Sequence, residues 1–277
     1  MRLGSHLSIA KGLNKAAEDA KTIDAETFQY FTRNPRGGKA RQISAKEIES
    51  WKEARKVDDI YPIMGHLPYT VNLAAVDPKQ MDFAKMVVND DLRRINLVGG
   101  ELLVSHPGRH HGDREAALRR LIELLRPALE EFEQETPVFC LETMALQGKE
   151  LGSIDDLAVI LKELAGLNVG VCLDTAHLFG AGWELRTKEG CDRLVDALEK
   201  KIGLDKIKCM HLNDSRVTMG SFKDRHANIG NGEIGYEGIS LVVNHTFLGK
   251  LPMVLETPAD NFRDYEPEIA MVRSMLS

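Results

Sequence analysis

The stretch "PVFCLETMALQGKELGSIDDLAVILKELAGLNVGVCLDTAH", residues 137–177, holds two short apolar runs on either side of one longer amphipathic segment. The runs PVFCL (137–141) and VGVCL (169–173) have the length and bounded apolar character of buried strands. Between them, Ser153 followed three positions later by Asp156 marks a helix start, and the apolar spacing carries that helix over 154–165. A strand, a helix and a second strand form one crossover unit, which returns the second strand parallel to the first. Each run is followed at once by a carboxylate, Glu142 and Asp174.

The same unit recurs along the whole chain. Six further strand-like runs are RLGSHL (2–7), TFQYF (27–31), IYPIMG (60–65), ELLVS (101–105), IKCM (207–210) and PMVL (252–255). Helical patterns occupy 11–22, 44–57, 78–98, 114–134, 188–203, 236–248 and 264–276, with Asp77 before Pro78 as a second clear start. Eight strands in strict alternation with eight helices predict an α/β fold, a closed (β/α)8 TIM barrel, as a single domain over 1–277. An open doubly wound sheet is the competing topology, but no G-x-G-x-x-G loop follows the first strand.

Composition agrees with a soluble globular chain: 43% hydrophobic, 28% charged, and no apolar run near the length of a membrane span. The N-terminus lacks a signal-peptide pattern, so a cytoplasmic protein with no membrane partner is expected. The formal net charge of −6 argues against a broadly basic nucleic-acid binder, though not against a local positive site. Four cysteines without C-x-x-C spacing read as buried free thiols.

In such barrels the chemistry gathers at the C-terminal ends of the strands. The residues after the apolar runs are His66, His106, Glu142, Asp174, His211 and Glu256, so six consecutive strands deliver metal-ligand types to one rim. A single strand-end carboxylate usually caps the next helix, and a single histidine there usually bonds a backbone carbonyl. Six crowded at one mouth would repel one another without a cation. LDTAH adds His177 three positions after Asp174, and KDRHANIG adds Asp224 and His226, which an extended loop projects from one side.

Nine candidate ligands exceed what one ion takes; with shared carboxylates they suit a cluster of two or three. Nitrogen and oxygen donors without thiolate suit Zn²⁺, with Mn²⁺ or Fe²⁺ as substitutes. Of the other histidines, His6 is expected behind the ligands, His110 and His111 in a solvated or substrate-facing loop, and His245 on a helix surface or in the core.

The fragments GSHLS, FTRNPR, HLPYTVNL, HPG, CLDTAHLFGAGWELRT, HLNDS, DRHANIGNGEIG and LET resemble, in order and spacing, the endonuclease IV family of apurinic/apyrimidinic endonucleases. The resemblance runs from about residue 1 to residue 260. It implies a DNA-repair hydrolase acting on double-stranded DNA 5′ to an abasic site, with three Zn²⁺ per chain. By motif, His66, His106 and Glu142 would hold one zinc, and Glu142 would bridge to a second held by Asp174, His211 and Glu256. His177, Asp224 and His226 would hold the third. Glu142, Asp174 and Glu256 are the implied catalytic carboxylates; Asn34, Arg36, Tyr69 and Arg225 are the implied DNA contacts; a monomer is expected.

Three divalent ions against four carboxylates would leave the rim positive despite the acidic chain, ready for phosphate. Thr70 after Tyr69, Gly37 and Gly38 after Arg36, and ETMALQG in place of ENTAGQG depart from the usual pattern and bear on nucleotide extrusion rather than on the ligands. The rival readings are a xylose isomerase-like sugar isomerase or epimerase with one or two metals, and a non-catalytic lesion-binding protein. A β-lyase would need a Schiff-base lysine, and no lysine ends any of the eight runs.

Overall fold

Side chains alternate across a strand with period two, so each short run sends every second residue into the barrel and the others toward the helices. In the computed structural model, which describes residues 1–36, 38–132 and 137–276, the strands are β1 (Leu3–His6), β2 (Thr27–Phe31), β3 (Ile63–His66), β4 (Leu102–Ser105), β5 (Val138–Glu142), β6 (Val169–Asp174), β7 (Ile207–His211), β8 (Asp214–Ser215), β9 (His226–Ala227) and β10 (Met253–Leu255). Eight of them close a barrel in the order β1-β10-β7-β6-β5-β4-β3-β2. Every neighbouring pair in it is parallel. The expected (β/α)8 barrel is the fold.

The outer helices are α1 (Leu13–Thr22), α2 (Ala45–Val57), α3 (Pro78–Leu97), α4 (Arg114–Glu131), α5 (Ile154–Glu163), α7 (Lys188–Lys201), α8 (Gly235–Asn244) and α9 (Tyr265–Ser274), with a short α6 (Thr175–Gly180) at the rim. The two starts read from sequence are both capped. Ser153 Oγ accepts from Asp156 N at 3.1 Å while Ser153 N donates to the Asp156 carboxylate at 3.0 Å, and Asp77 accepts from Gln80 N at 3.0 Å. Helix α4 buries Ala117, Leu118, Leu121, Ile122, Leu125, Ala128 and Leu129 on one stripe. Fully burying one such leucine contributes about 1.5–3 kcal/mol.

Inside the barrel, Met64, Leu102, Val104, Cys140, Cys172, Cys209 and Val254 form a core separate from the larger one beneath the helices. Two positions beyond the last of these inward residues on β3, β4, β5, β6, β7 and β10 stand His66, His106, Glu142, Asp174, His211 and Glu256. The pleat that fills the interior therefore also aims these six into the mouth. All four cysteines are free and buried. Burial pushes the Cys172 thiol up to about 12 and Cys191 to about 11.

Some boundaries differ from the sequence reading. Helix α1 begins at Leu13 rather than 11, because Gly12 has φ +104° and stands outside it. The helix expected over 236–248 ends at Asn244, where His245 turns extended and its Nδ1 accepts from Phe247 N and Leu248 N at 3.1 and 3.3 Å. Of the expected helix 114–134, residues 133 and 134 lie outside the described residues. The ribbon β8–β9 and helix α6 were not foreseen. Among the described residues no helix is long and apolar enough to cross a membrane.

Candidate metal centre

The nine candidate ligands converge at the C-terminal mouth. His66, Glu142, Asp174 and His211 are the last residues of β3, β5, β6 and β7, while His106 and Glu256 stand one residue beyond β4 and β10. His177 lies on α6 rather than in an open turn. Asp174 caps that helix, accepting from His177 N at 2.7 Å, so the carboxylate and the imidazole are set by the same turn. His226 is carried over the mouth by the β8–β9 ribbon, where it pairs with Ser215.

Three sets of ligand atoms lie within 4.8 Å of one another: His66, His106 and Glu142; Glu142, Asp174, His211 and Glu256; and Asp174, His177 and His226. Glu142 belongs to two sets, as expected of a bridge. Asp174 also belongs to two, which the sequence reading did not foresee. Asp224 completes the outermost set, its two oxygens 3.3 Å from His177 Nε2 and 3.2 Å from His226 Nε2.

The hydrogen bonds of the histidines decide which nitrogen faces the centre. The Nδ1 atoms of His66, His177 and His226 donate to the carbonyls of Leu67, Thr143 (2.9 Å) and Glu256 (3.2 Å). That leaves each Nε2 as the nitrogen directed inward, a donor for a metal once its proton is lost. His211 is reversed: Nε2 donates to Gln29 Oε1 at 2.9 Å, and Nδ1 faces Glu142 and Glu256 at 3.2 and 3.0 Å. Gln29 Nε2 also donates to Glu256 at 2.6 Å, His6 Nδ1 lies 3.4 Å from the same oxygen, and Asn213 donates to Asp174 at 2.7 Å. Gln29, Thr143 and Asn213 were missed in the sequence. Gln29 carried a readable signal, as a polar side chain at an inward position of an apolar strand.

Electrostatics shows how strained this donor set is on its own. Burial opposes ionisation of Glu142, yet His211 and His106 outweigh it and hold the carboxyl well below its ordinary range. Glu256 is lowered in the same way against its burial, first by His211. Burial lowers His226, but Asp174 and Asp224 overcome it and lift the ring to about 9. His177 and His211 are raised well above the usual value against the same burial penalty.

Fit to a divalent cation follows from two observations. His177 Nε2 and His226 Nε2 are buried and have no hydrogen-bond partner among the described residues, although Asp224 oxygens lie close, so these groups point at a shared position rather than at one another. Five imidazoles and four carboxylates surround that space without a thiol or a lysine, the nitrogen and oxygen chemistry that suits zinc. The side chains of Glu142, Asp174 and His211 are wholly buried, whereas Asp224 is 36% exposed. The site opens through a cavity of about 500 Å³ lined also by Phe31, Tyr69, Arg109, Met144 and Gln147.

The expected DNA contacts stand around this mouth. Tyr69 is half exposed and packs edge-on against Phe31 at 6.0 Å. Arg36 is exposed in a tight loop where Asn34 Oδ1 accepts from its backbone N–H at 2.9 Å; Gly37 lies outside the described residues. Thr70 donates to Pro35 O at 3.2 Å and ties the Tyr69 loop to that loop. Arg225 is exposed and donates to the backbone carbonyl of Asp224.

A family described as xylose isomerase-like TIM barrel matches residues 17–275. The chain is 57% identical over 278 residues to the probable endonuclease 4 of Moorella thermoacetica, covering 100% of both chains. It superimposes on the crystal structure of endonuclease IV from Thermus thermophilus with a TM-score of 0.87 and 32% identity, over 99% of this chain and 98% of that one. A D-tagatose 3-epimerase-like protein, 19% identical with a TM-score of 0.71 over 99% and 97% of the two chains, shares the fold alone. With 57% identity over the full length of one such relative and a barrel mouth built as described, the chain belongs to the endonuclease IV family of nucleases.

Proposed function

We propose that this protein is a zinc-dependent apurinic/apyrimidinic endonuclease of DNA repair. It hydrolyses double-stranded DNA 5′ to an abasic site and leaves a 3′-hydroxyl and a 5′-deoxyribose phosphate. The observation that carries the reading is the set of three overlapping ligand groups sharing Glu142 and Asp174. His66, His106 and Glu142 would hold one zinc, Glu142, Asp174, His211 and Glu256 a second, and His177, Asp224 and His226 a third, with Mn²⁺ as a substitute. Bound divalent ions supply Lewis acidity toward phosphate oxygens and make water nucleophilic near neutral pH.

The chain's own part is positioning. Gln29 and Asn213 hold His211, Glu256 and Asp174 in one orientation, so the donors need no rearrangement as charge develops. The imidazoles around Glu142 and Glu256 hold both carboxyls well below their ordinary range, so their negative charge would face the ions. Asn34, Arg36, Tyr69 and Arg225 would meet the duplex around the mouth, with a monomer as the working unit. Sugar isomerases of similar fold work with one or two metals, and that reading has no use for His177, Asp224 and His226.

The test is incision of a duplex carrying one tetrahydrofuran abasic analogue, which resists β-elimination, before and after prolonged chelation. Chelator-sensitive nicking with a 3′-hydroxyl end is the expected result. Absence of nicking by metal-replete protein would overturn the reading.

A further inference from the structure

We propose that Arg109 is a phosphate-binding residue at the mouth of the metal centre, a contact for a backbone phosphate neighbouring the one cleaved. The proposal rests on the endonuclease reading above. Arg109 follows the ligand His106 by three positions and lines the same 500 Å³ cavity as His106, His177 and Tyr69. It also lines an adjoining 170 Å³ cavity beneath the Tyr69–Asn72 loop.

Its loop is fixed at several points. Arg109 N donates to Asn72 Oδ1 at 3.0 Å, and Arg109 forms an antiparallel bridge with Glu150. His110 N donates to Lys149 O at 2.8 Å, and Leu151 N donates to Gly108 O at 2.9 Å. The guanidinium donates through Nη2 to Glu150 Oε1 at 3.1 Å, and the other oxygen of Glu150 accepts from Gln147 N at 2.8 Å. Glu150 is nearly buried, while the Arg109 side chain is 60% exposed.

An ion pair with one partner so exposed contributes little to stability. A rigid backbone, a buried carboxylate holding the side chain at the cavity wall, and four N–H donors beyond the one given to Glu150 are the arrangement of a pre-aligned anion fork. Phosphodiester oxygens are the anion that a nuclease brings there. The loop reading of the sequence absorbed His106 alone and left Arg109 without a role.

The experiment compares metal-loaded wild type with Arg109→Ala, Arg109→Gln and Arg109→Lys on the abasic duplex across a salt series. Arg109→Gln retains an amide N–H donor but loses the charge and the donor fork. Both neutral variants are expected to raise KM roughly tenfold with kcat and metal content held. The slope of log affinity against log salt is expected to fall by about one in each. Arg109→Lys should restore the slope and only part of the affinity. Unchanged KM and salt slope in Arg109→Gln, with wild type incising normally, would overturn the proposal alone. A wild type that fails to incise would remove the functional reading and this contact with it.

Discussion

Gln29 links two ligands of the centre through one amide, accepting from His211 and donating to Glu256. Truncation removes the partner that fixes the His211 tautomer. Gln29→Ala is therefore expected to lower metal affinity or incision rate by roughly 10- to 100-fold. Chelator competition measures this, and an unchanged affinity would contradict it. Titration of His226 gives a second expectation. Without metal its ring is held at about 9, above the 6.5 of the free side chain. Its proton stabilises the metal-free fold fully below pH 6.5, and that contribution is lost as pH rises through 9. Metal binding at pH 7 must displace such protons, so loading should release acid and apparent affinity should climb toward pH 9. Calorimetry in two buffers of different ionisation enthalpy reads the proton count; none released would contradict it. Six of the nine candidate ligands were legible in the sequence because each follows an inward apolar residue by two; His177, Asp224 and His226 were read from the spacing of LDTAH and KDRHANIG. Asn213 and Thr143 lie beyond the readable periodicity.

At the scale of elements, a buried ion pair anchors the loop carrying Asn34 and Arg36. Arg33 donates to Asp91 through Nε and Nη2, and through Nη1 to Gly38 O at 2.9 Å, while Thr32 donates to Asp91 at 2.6 Å. Asp91 is fully buried on α3 and Arg33 nearly so. Removing Asp91 leaves the buried Arg33 with only the half-exposed Asp90 as a carboxylate partner, so Asp91→Ala should cost about 3 kcal/mol in urea unfolding and weaken duplex binding at unchanged metal content. A loss below about 1 kcal/mol would contradict that placement. The long elements were legible because alternation and caps such as Ser153 leave marks in the sequence. Helix α6 left none, since its six residues are buried all round and show no polar face. The two-residue strands of the ribbon are too short to alternate.

For the whole molecule, the barrel sets the positions while the charge of the centre comes from outside the chain. A formal charge of −6 and four mouth carboxylates make metal-free protein a poor partner for DNA. Ions binding only the folded state add about 2.7 kcal/mol at a hundredfold excess over Kd. Chelation should thus lower Tm and abolish duplex binding together, read by calorimetry and anisotropy; binding that survives chelation would contradict this. The barrel itself was legible from eight alternating units, together with the strand-end residues of its rim; the rim's helix α6 and β8–β9 ribbon were not, because loops carry no period.

Glu142 belongs to two of the three ligand groups, the position from which it would join two ions of a three-ion centre. Elemental analysis of wild type and Glu142→Gln, each purified with excess zinc and paired with an incision assay, tests it directly. Three zinc ions per wild-type chain, and a variant that loses both metal and rate, is the predicted result. A variant that keeps full metal content and full rate would contradict it.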